Sequence, residues 1–107
     1  MKIWQLAMLL LAAAAPDGKQ IVLHGNSNGA LPCAACHGVN GQGNASIGAP
    51  VLAGKPERAI VSALNTLANS QGGGPMPGIA KALTPQEKQA VAAYFAGLPV
   101  GITPPSE

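Results

Sequence analysis

The chain reads as a small all-α domain of three to four helices joined by Gly- and Pro-rich loops. Three observations lead there. Three segments carry apolar residues at helical spacing between capping residues, and no stretch alternates for long enough to make a strand. The 107 residues also include 14 Gly and 10 Pro but one Trp, one Tyr and one Phe. Small domains with so little side-chain bulk usually rely on a disulfide, a metal or another staple. A large non-protein group at the centre would supply the missing core.

The first residues, "MKIWQLAMLLLAAAA", have the form of a secretory leader: Lys2, an apolar run from Ile3 to Leu11, then small residues with a cut expected after Ala14. The run is short for a bilayer span, which takes about 20 residues. A retained leader acting as an anchor is the alternative. The domain proper is expected over 15–100, with 101–107, "GITPPSE", as a flexible tail. Within the domain, Asp17 caps a first helix that Gly25 stops, with Ile21, Val22 and Leu23 as its apolar content. A second runs from Pro56 to Asn69, with Ile60, Val61, Leu64, Leu67 and Ala68 on one face and Pro56 in the first turn. The third opens with Thr84, Pro85 and Glu87, the pattern of a capping box, and carries Val91, Tyr94, Phe95 and Leu98 at i, i+3, i+4 and i+7. Gly97 and Pro99 end it.

Two long connections remain, Asn26 to Ala53 and Ser70 to Leu83. Loops of that length in a small domain are usually functional or held by a shared partner. The first contains both cysteines, in "PCAACHG". A disulfide between Cys33 and Cys36 would close too short a loop to constrain the unfolded chain much, and redox-active pairs follow a strand that is not readable here. A zinc site would need Cys33, Cys36, His37 and the distant His24 together. The reading that uses every residue of the motif is covalent haem attachment: two thioethers on one edge of a porphyrin, and a histidine directly after the second cysteine that reaches the iron. A porphyrin would also fill the deficient core.

With these residues the chain resembles the small class I (monohaem) cytochromes c of bacteria, in particular the type found as one half of dihaem cytochromes c. The matching stretches are "HGNSNGALPCAACHGVNGQG", "IGAPVLAGKP" and "GGGPMPGIAKALTPQEKQAVAAYFAGLP", in that order. The resemblance implies a cytochrome c fold wrapped around one haem c, with Cys33 and Cys36 as thioethers and His37 and Met76 as axial ligands. Met76 is the sole methionine after the leader and lies between Pro75 and Pro77, behind three glycines. The resemblance further implies that the Pro50 carbonyl orients His37 and that Leu52 packs on the porphyrin. Lys55 stands where the family more usually has glutamine. Together with Arg58 it is a candidate partner for a haem propionate, the alternative being plain solvated charge.

The implied function is a one-electron carrier in a periplasmic respiratory chain, not an enzyme, because both axial positions are filled. Its partners are then a redox donor and a redox acceptor. The alternatives are a cytochrome subunit of a membrane-associated dehydrogenase or reductase, or a ligand-binding or peroxidase haem protein if Met76 leaves the iron. Beyond the leader, Lys19, Lys55, Arg58, Lys81 and Lys88 nearly cancel Asp17, Glu57, Glu87 and Glu107, so there is no basic stripe for nucleic acid. Ala34, Ala35, Pro77, Ile79 and Ala80 are expected to form a small apolar docking surface around the exposed haem edge.

Overall fold

A computed structural model of the chain describes residues 15–100; the expected leader, through Ala14, and the expected tail, 101–107, lie outside the described residues. Among the described residues five helices follow one another: α1 Gly18–His24, α2 Ala34–His37, α3 Glu57–Ala68, α4 Met76–Lys81 and α5 Pro85–Ala96, with a 3-10 turn at Ala45–Ile47. Among the described residues the extended pairing is confined to an isolated bridge between Asn44 and Ala49.

The three helices expected from periodicity are present, and their ends follow local chemistry. The Asp17 carboxylate accepts from the amides of Lys19 at 3.0 Å and Gln20 at 3.4 Å, satisfying donors that the first turn of α1 leaves free. Thr84 and Glu87 form the reciprocal capping box of α5: Thr84 Oγ1 accepts from the Glu87 amide at 3.1 Å, and Glu87 Oε1 from the Thr84 amide at 2.9 Å. Pro56 differs from expectation. It sits just outside α3 with an extended ψ of 139° and is the cap rather than the first turn.

Helices α2 and α4 were not legible, since each is shorter than two turns and cannot display a helical repeat. In α4 the prolines are the reason the helix starts where it does. Pro75 precedes it and Pro77 occupies its first turn, where the missing amide has no intrahelical partner to lose. The residues around Met76 therefore begin a helix instead of forming a stiffened loop.

The core gathers one face of each longer helix: Ile21 and Val22 from α1, Ile60 and Leu64 from α3, and Val91, Ala92 and Phe95 from α5. Phe95 is 1% exposed and Val22 is fully buried. Burying a side chain of this size contributes roughly 1.5–3 kcal/mol. Tyr94 and Leu98, expected on the same face, are half-buried at its margin. Helix α5 packs against both α1 and α3. At the α1–α5 crossing the chain comes so close that a Cβ on Gly18 would run into the carbonyl of Ala90. Backbone carbonyls within a helix cannot move aside as a flexible side chain can. Gly18→Ala should therefore lower stability by about 1–3 kcal/mol, the usual cost of overpacking, read as a drop in the thermal midpoint. An unchanged midpoint would contradict the crossing.

Candidate functional site

Cys33 stands at the N-cap of α2, Cys36 lies within it, and His37 is its last residue, with its amide donating to the Cys33 carbonyl at 2.9 Å. The single turn thus puts the two thiols and the imidazole on one short rigid piece. Neither cysteine is paired. Cys33 is half-buried and Cys36 exposed. Burial pushes the Cys33 thiol above its ordinary pKa, and a backbone hydrogen bond offsets part of that rise. Redox-active thiols are instead tuned downward. Cys33 therefore lacks the lowered pKa of a thiol–disulfide nucleophile.

His37 is 6% exposed, the one polar side chain in the buried set. Its Nδ1 lies 2.9 Å from the carbonyl oxygen of Pro50. A carbonyl can only accept, so Nδ1 carries a proton, and in the neutral imidazole that leaves the lone pair on Nε2. Among the described residues no buried side-chain nitrogen or oxygen lacks a partner. Nε2 has no hydrogen-bond partner among the described residues. A neutral imidazole held through Nδ1 with Nε2 free is the arrangement of a metal-ligating histidine.

The return of the chain from His37 to Pro50 is built against α5. The Gly43 amide donates to the His37 carbonyl at 2.8 Å, and the amides of Leu52 and Ala53 both donate to the Gly41 carbonyl, at 2.8 and 3.0 Å. Gly41 has φ +65°, and a Cβ there would lie 2.9 Å from the Phe95 ring and 3.0 Å from the Ala53 nitrogen, so no other residue fits without strain. Tyr94 donates its hydroxyl to the Val39 carbonyl at 3.0 Å, and the Gly54 amide donates to the Phe95 carbonyl at 2.9 Å. The core helix thereby fixes where the Pro50 carbonyl sits.

Met76 opens α4, half-buried and packed against the core cluster, as are Cys33, Ala34, Leu52 and Ile79. Lys55 and Arg58 are exposed. Arg58 lines a surface groove with Ser62, Asn65, Asn69 and Gln89, a groove to which none of Cys33, Cys36, His37 and Met76 contributes. The expected docking surface needs correction. Pro77 is buried and Ala80 has no exposed area, because α4 turns that face onto the core. Ala35 is exposed, while Ala34 and Ile79 are half-buried. Exposed apolar side chains lie instead on the cysteine-bearing connection, at Leu31, Val39, Ile47 and Val51.

Asn26, just beyond α1, did not stand out in the sequence, where "NSNG" is an ordinary turn signal. Its amide nitrogen donates to the Ala82 carbonyl at 2.8 Å and to Glu87 Oε1 at 2.9 Å, while its amide oxygen accepts from the amides of Asn28 at 3.0 Å and Ala30 at 2.9 Å. No sequence pattern signals a bond between residues so far apart in the chain.

The donor set suits a porphyrin. There are two unpaired thiols, an imidazole with Nε2 free, a thioether, and partly buried apolar side chains beside them. It does not suit a zinc ion: among the described residues no three His, Cys, Asp or Glu side chains converge as metal ligands, so His24 does not join the motif. The family model described as cytochrome C oxidase, cbb3-type, subunit III matches residues 17–95. The chain belongs to this cytochrome c family. The cofactor that goes with the family is haem c, covalently bound. The chain is 36% identical over 103 residues to the thiosulfate dehydrogenase electron acceptor of Stutzerimonas stutzeri (strain A1501), covering 90% of this chain and 48% of that protein. Among solved structures it is similar to Acidithiobacillus ferrooxidans cytochrome c4, with a TM-score of 0.69 and 34% identity over 76% of this chain and 48% of that one. It is also similar to the thiosulfate dehydrogenase of Marichromatium purpuratum as isolated, with a TM-score of 0.71 and 31% identity over 77% of this chain and 18% of that one. The domain thus spans about half the length of the first relatives it matches, at 48% of each. Among the described residues, no helix is long and apolar enough to cross a membrane.

Proposed function

We propose that this domain is a one-electron carrier holding a single haem c through thioethers from Cys33 and Cys36, with His37 Nε2 and the Met76 sulfur as axial ligands. The observation that carries this reading is His37: a buried imidazole whose Nδ1 proton is held by the Pro50 carbonyl, leaving Nε2 free beside two unpaired thiols. When bound, the haem iron supplies the one-electron couple. The chain does the rest. Pro50 keeps His37 in the right tautomer and fixes the plane of its ring. Leu52 and the core around Phe95 exclude water from the porphyrin. The soft sulfur of Met76 favours the reduced state and raises the potential. Lys55, exposed and outside the Arg58 groove, is the better candidate for a propionate.

Held by both His37 and Met76, the iron would offer no place for a substrate, and the domain would then pass electrons instead of performing catalysis. The leader-like start supports a periplasmic location, where haem would be attached after secretion. A respiratory donor and acceptor are the partners of this reading. The relative named as an electron acceptor of thiosulfate dehydrogenase favours a second, narrower one, in which the donor is a dehydrogenase of that class.

Three outcomes test these readings. Haem staining of the secreted protein on a denaturing gel should show haem migrating with the chain, and Cys33→Ala combined with Cys36→Ala should abolish it. Haem extracted by acidified solvent from the parent protein would overturn the attachment. Met76→Ala should keep the haem, lose the methionine–iron charge-transfer band of the oxidised form, and lower the midpoint potential; a variant with parental band and potential would remove Met76 from the site. For the narrower reading, thiosulfate plus a thiosulfate dehydrogenase should reduce the purified protein at a rate that rises with dehydrogenase concentration. A protein reduced by dithionite but not by that mixture would rule the donor class out.

A further inference from the structure

The two segments that carry the proposed axial ligands come from different parts of the chain, and one side chain joins them. Asn26 begins the turn that leads into the cysteine motif. Its amide oxygen accepts from Asn28 and Ala30, and its own backbone amide donates to the Ala30 carbonyl at 3.2 Å. Its amide nitrogen reaches across to the Ala82 carbonyl, at the C-terminal end of α4, and to Glu87 Oε1 in the capping box of α5. All four hydrogen-bonding positions of the carboxamide are matched, so it works in one orientation alone.

The position of that contact matters because of where Met76 sits. Met76 is the first residue of α4 and Ala82 its C-cap, a distance of about 9 Å at 1.5 Å per residue. At the other end Pro75 makes no side-chain capping bond and 71–75 are exposed, so the start of α4 is held by the packing of Met76 and Pro77 on the core and not by a side-chain hydrogen bond. The Glu87 oxygen that Asn26 grips is the same one that accepts from the Thr84 amide, so the start of α5, the end of α4 and the turn before Cys33 share one knot. Seated on the core through Pro77 and Ala80 and tied at its C-cap by Asn26, the short helix passes a shift at Ala82 on to Met76 at its start.

We propose that Asn26 is a positioning residue for the sixth ligand: by tying the cysteine-bearing turn to the end of α4, it fixes how far the Met76 sulfur stands from the face opposite His37. The proposal rests on the reading of Met76 as an axial ligand. It follows that the strength of the iron–sulfur bond is set in part by a hydrogen bond remote from the haem. Loosening that bond weakens sulfur ligation while thioether attachment and His37 ligation persist.

The test compares the haem-loaded protein with Asn26→Asp, Glu87→Gln and Met76→Ala. Asn26→Asp keeps the oxygen that accepts from the amides of Asn28 and Ala30 but turns the donating end into a second carboxylate oxygen facing the Ala82 carbonyl and the Glu87 carboxylate. Expected are retained covalent haem, loss or weakening of the methionine–iron band, a potential lowered toward that of Met76→Ala, and carbon monoxide binding to the reduced form at neutral pH. Glu87→Gln preserves an accepting oxygen for Asn26 and for the Thr84 amide, and should keep the parental band and potential. Where Asn26→Asp does not accumulate, Asn26→Ser serves with the same readouts, since it retains an acceptor for the turn and loses the reach to Ala82. A lower unfolding midpoint with band and potential unchanged, measured well below that midpoint, would show Asn26 to be merely structural and overturn the proposal. If Met76→Ala itself leaves the band intact, the ligand reading fails instead, and the two failures are told apart.

Discussion

The geometry of the site depends on the way the connection after His37 is pressed against Phe95. The Phe95 ring lies almost wholly out of solvent, and the backbone at Gly41 rests on it with no room for a side chain. From that contact the Gly41 carbonyl collects the amides of Leu52 and Ala53, which brings Pro50 back over His37. Earlier along α5, Gly18 lets α1 approach until it meets the backbone of Ala90. The site is therefore referenced to one helix. Its rigidity is a consequence of close-packed backbone, which has fewer ways to relax than a layer of flexible side chains.

A domain with two aromatic residues among those described would be expected to be poorly filled, and the way its apolar side chains are arranged resolves the difficulty. Cys33, Leu52, Met76 and Ile79 sit at the margin of the core, partly buried and not enclosed by protein. A flat apolar cofactor lying against them would continue the core. The same apolar surroundings raise the Cys33 thiol pKa and keep the imidazole of His37 from meeting any polar group but one carbonyl. Low polarity at this place is unfavourable for a thiolate and favourable for a porphyrin, so the apolar side chains that close the core are also the ones a cofactor would lie against.

Helix ends were legible because they are written in adjacent residues. Asp17, the Thr84–Glu87 pair and Gly25 announce themselves through short-range hydrogen bonds and backbone preferences. Helices α2 and α4 were not, since each is stabilised by what surrounds it and is too short for a repeat. Missing α4 had a consequence. Read as a loop, Pro77 and Ala80 looked available to a docking partner, whereas a helix turns them onto the core. Asn26 was invisible for a related reason: its partners Ala82 and Glu87 lie far along the chain, and an asparagine in a turn has many local explanations.

By itself, the sequence determined the all-α class, the three longer helices with their caps, and the pairing of Cys-x-x-Cys-His with a single later methionine that singles out a cytochrome c domain. Each of these rests on residue type and spacing along the chain. Tertiary structure alone decided that His37 donates through Nδ1 to the Pro50 carbonyl, that Met76 begins a helix packed on the core, and that Asn26 joins the segments bearing the two proposed ligands. Those facts depend on distances between groups remote in sequence, and such distances are set by how helices pack and where the backbone can approach, which no local pattern records.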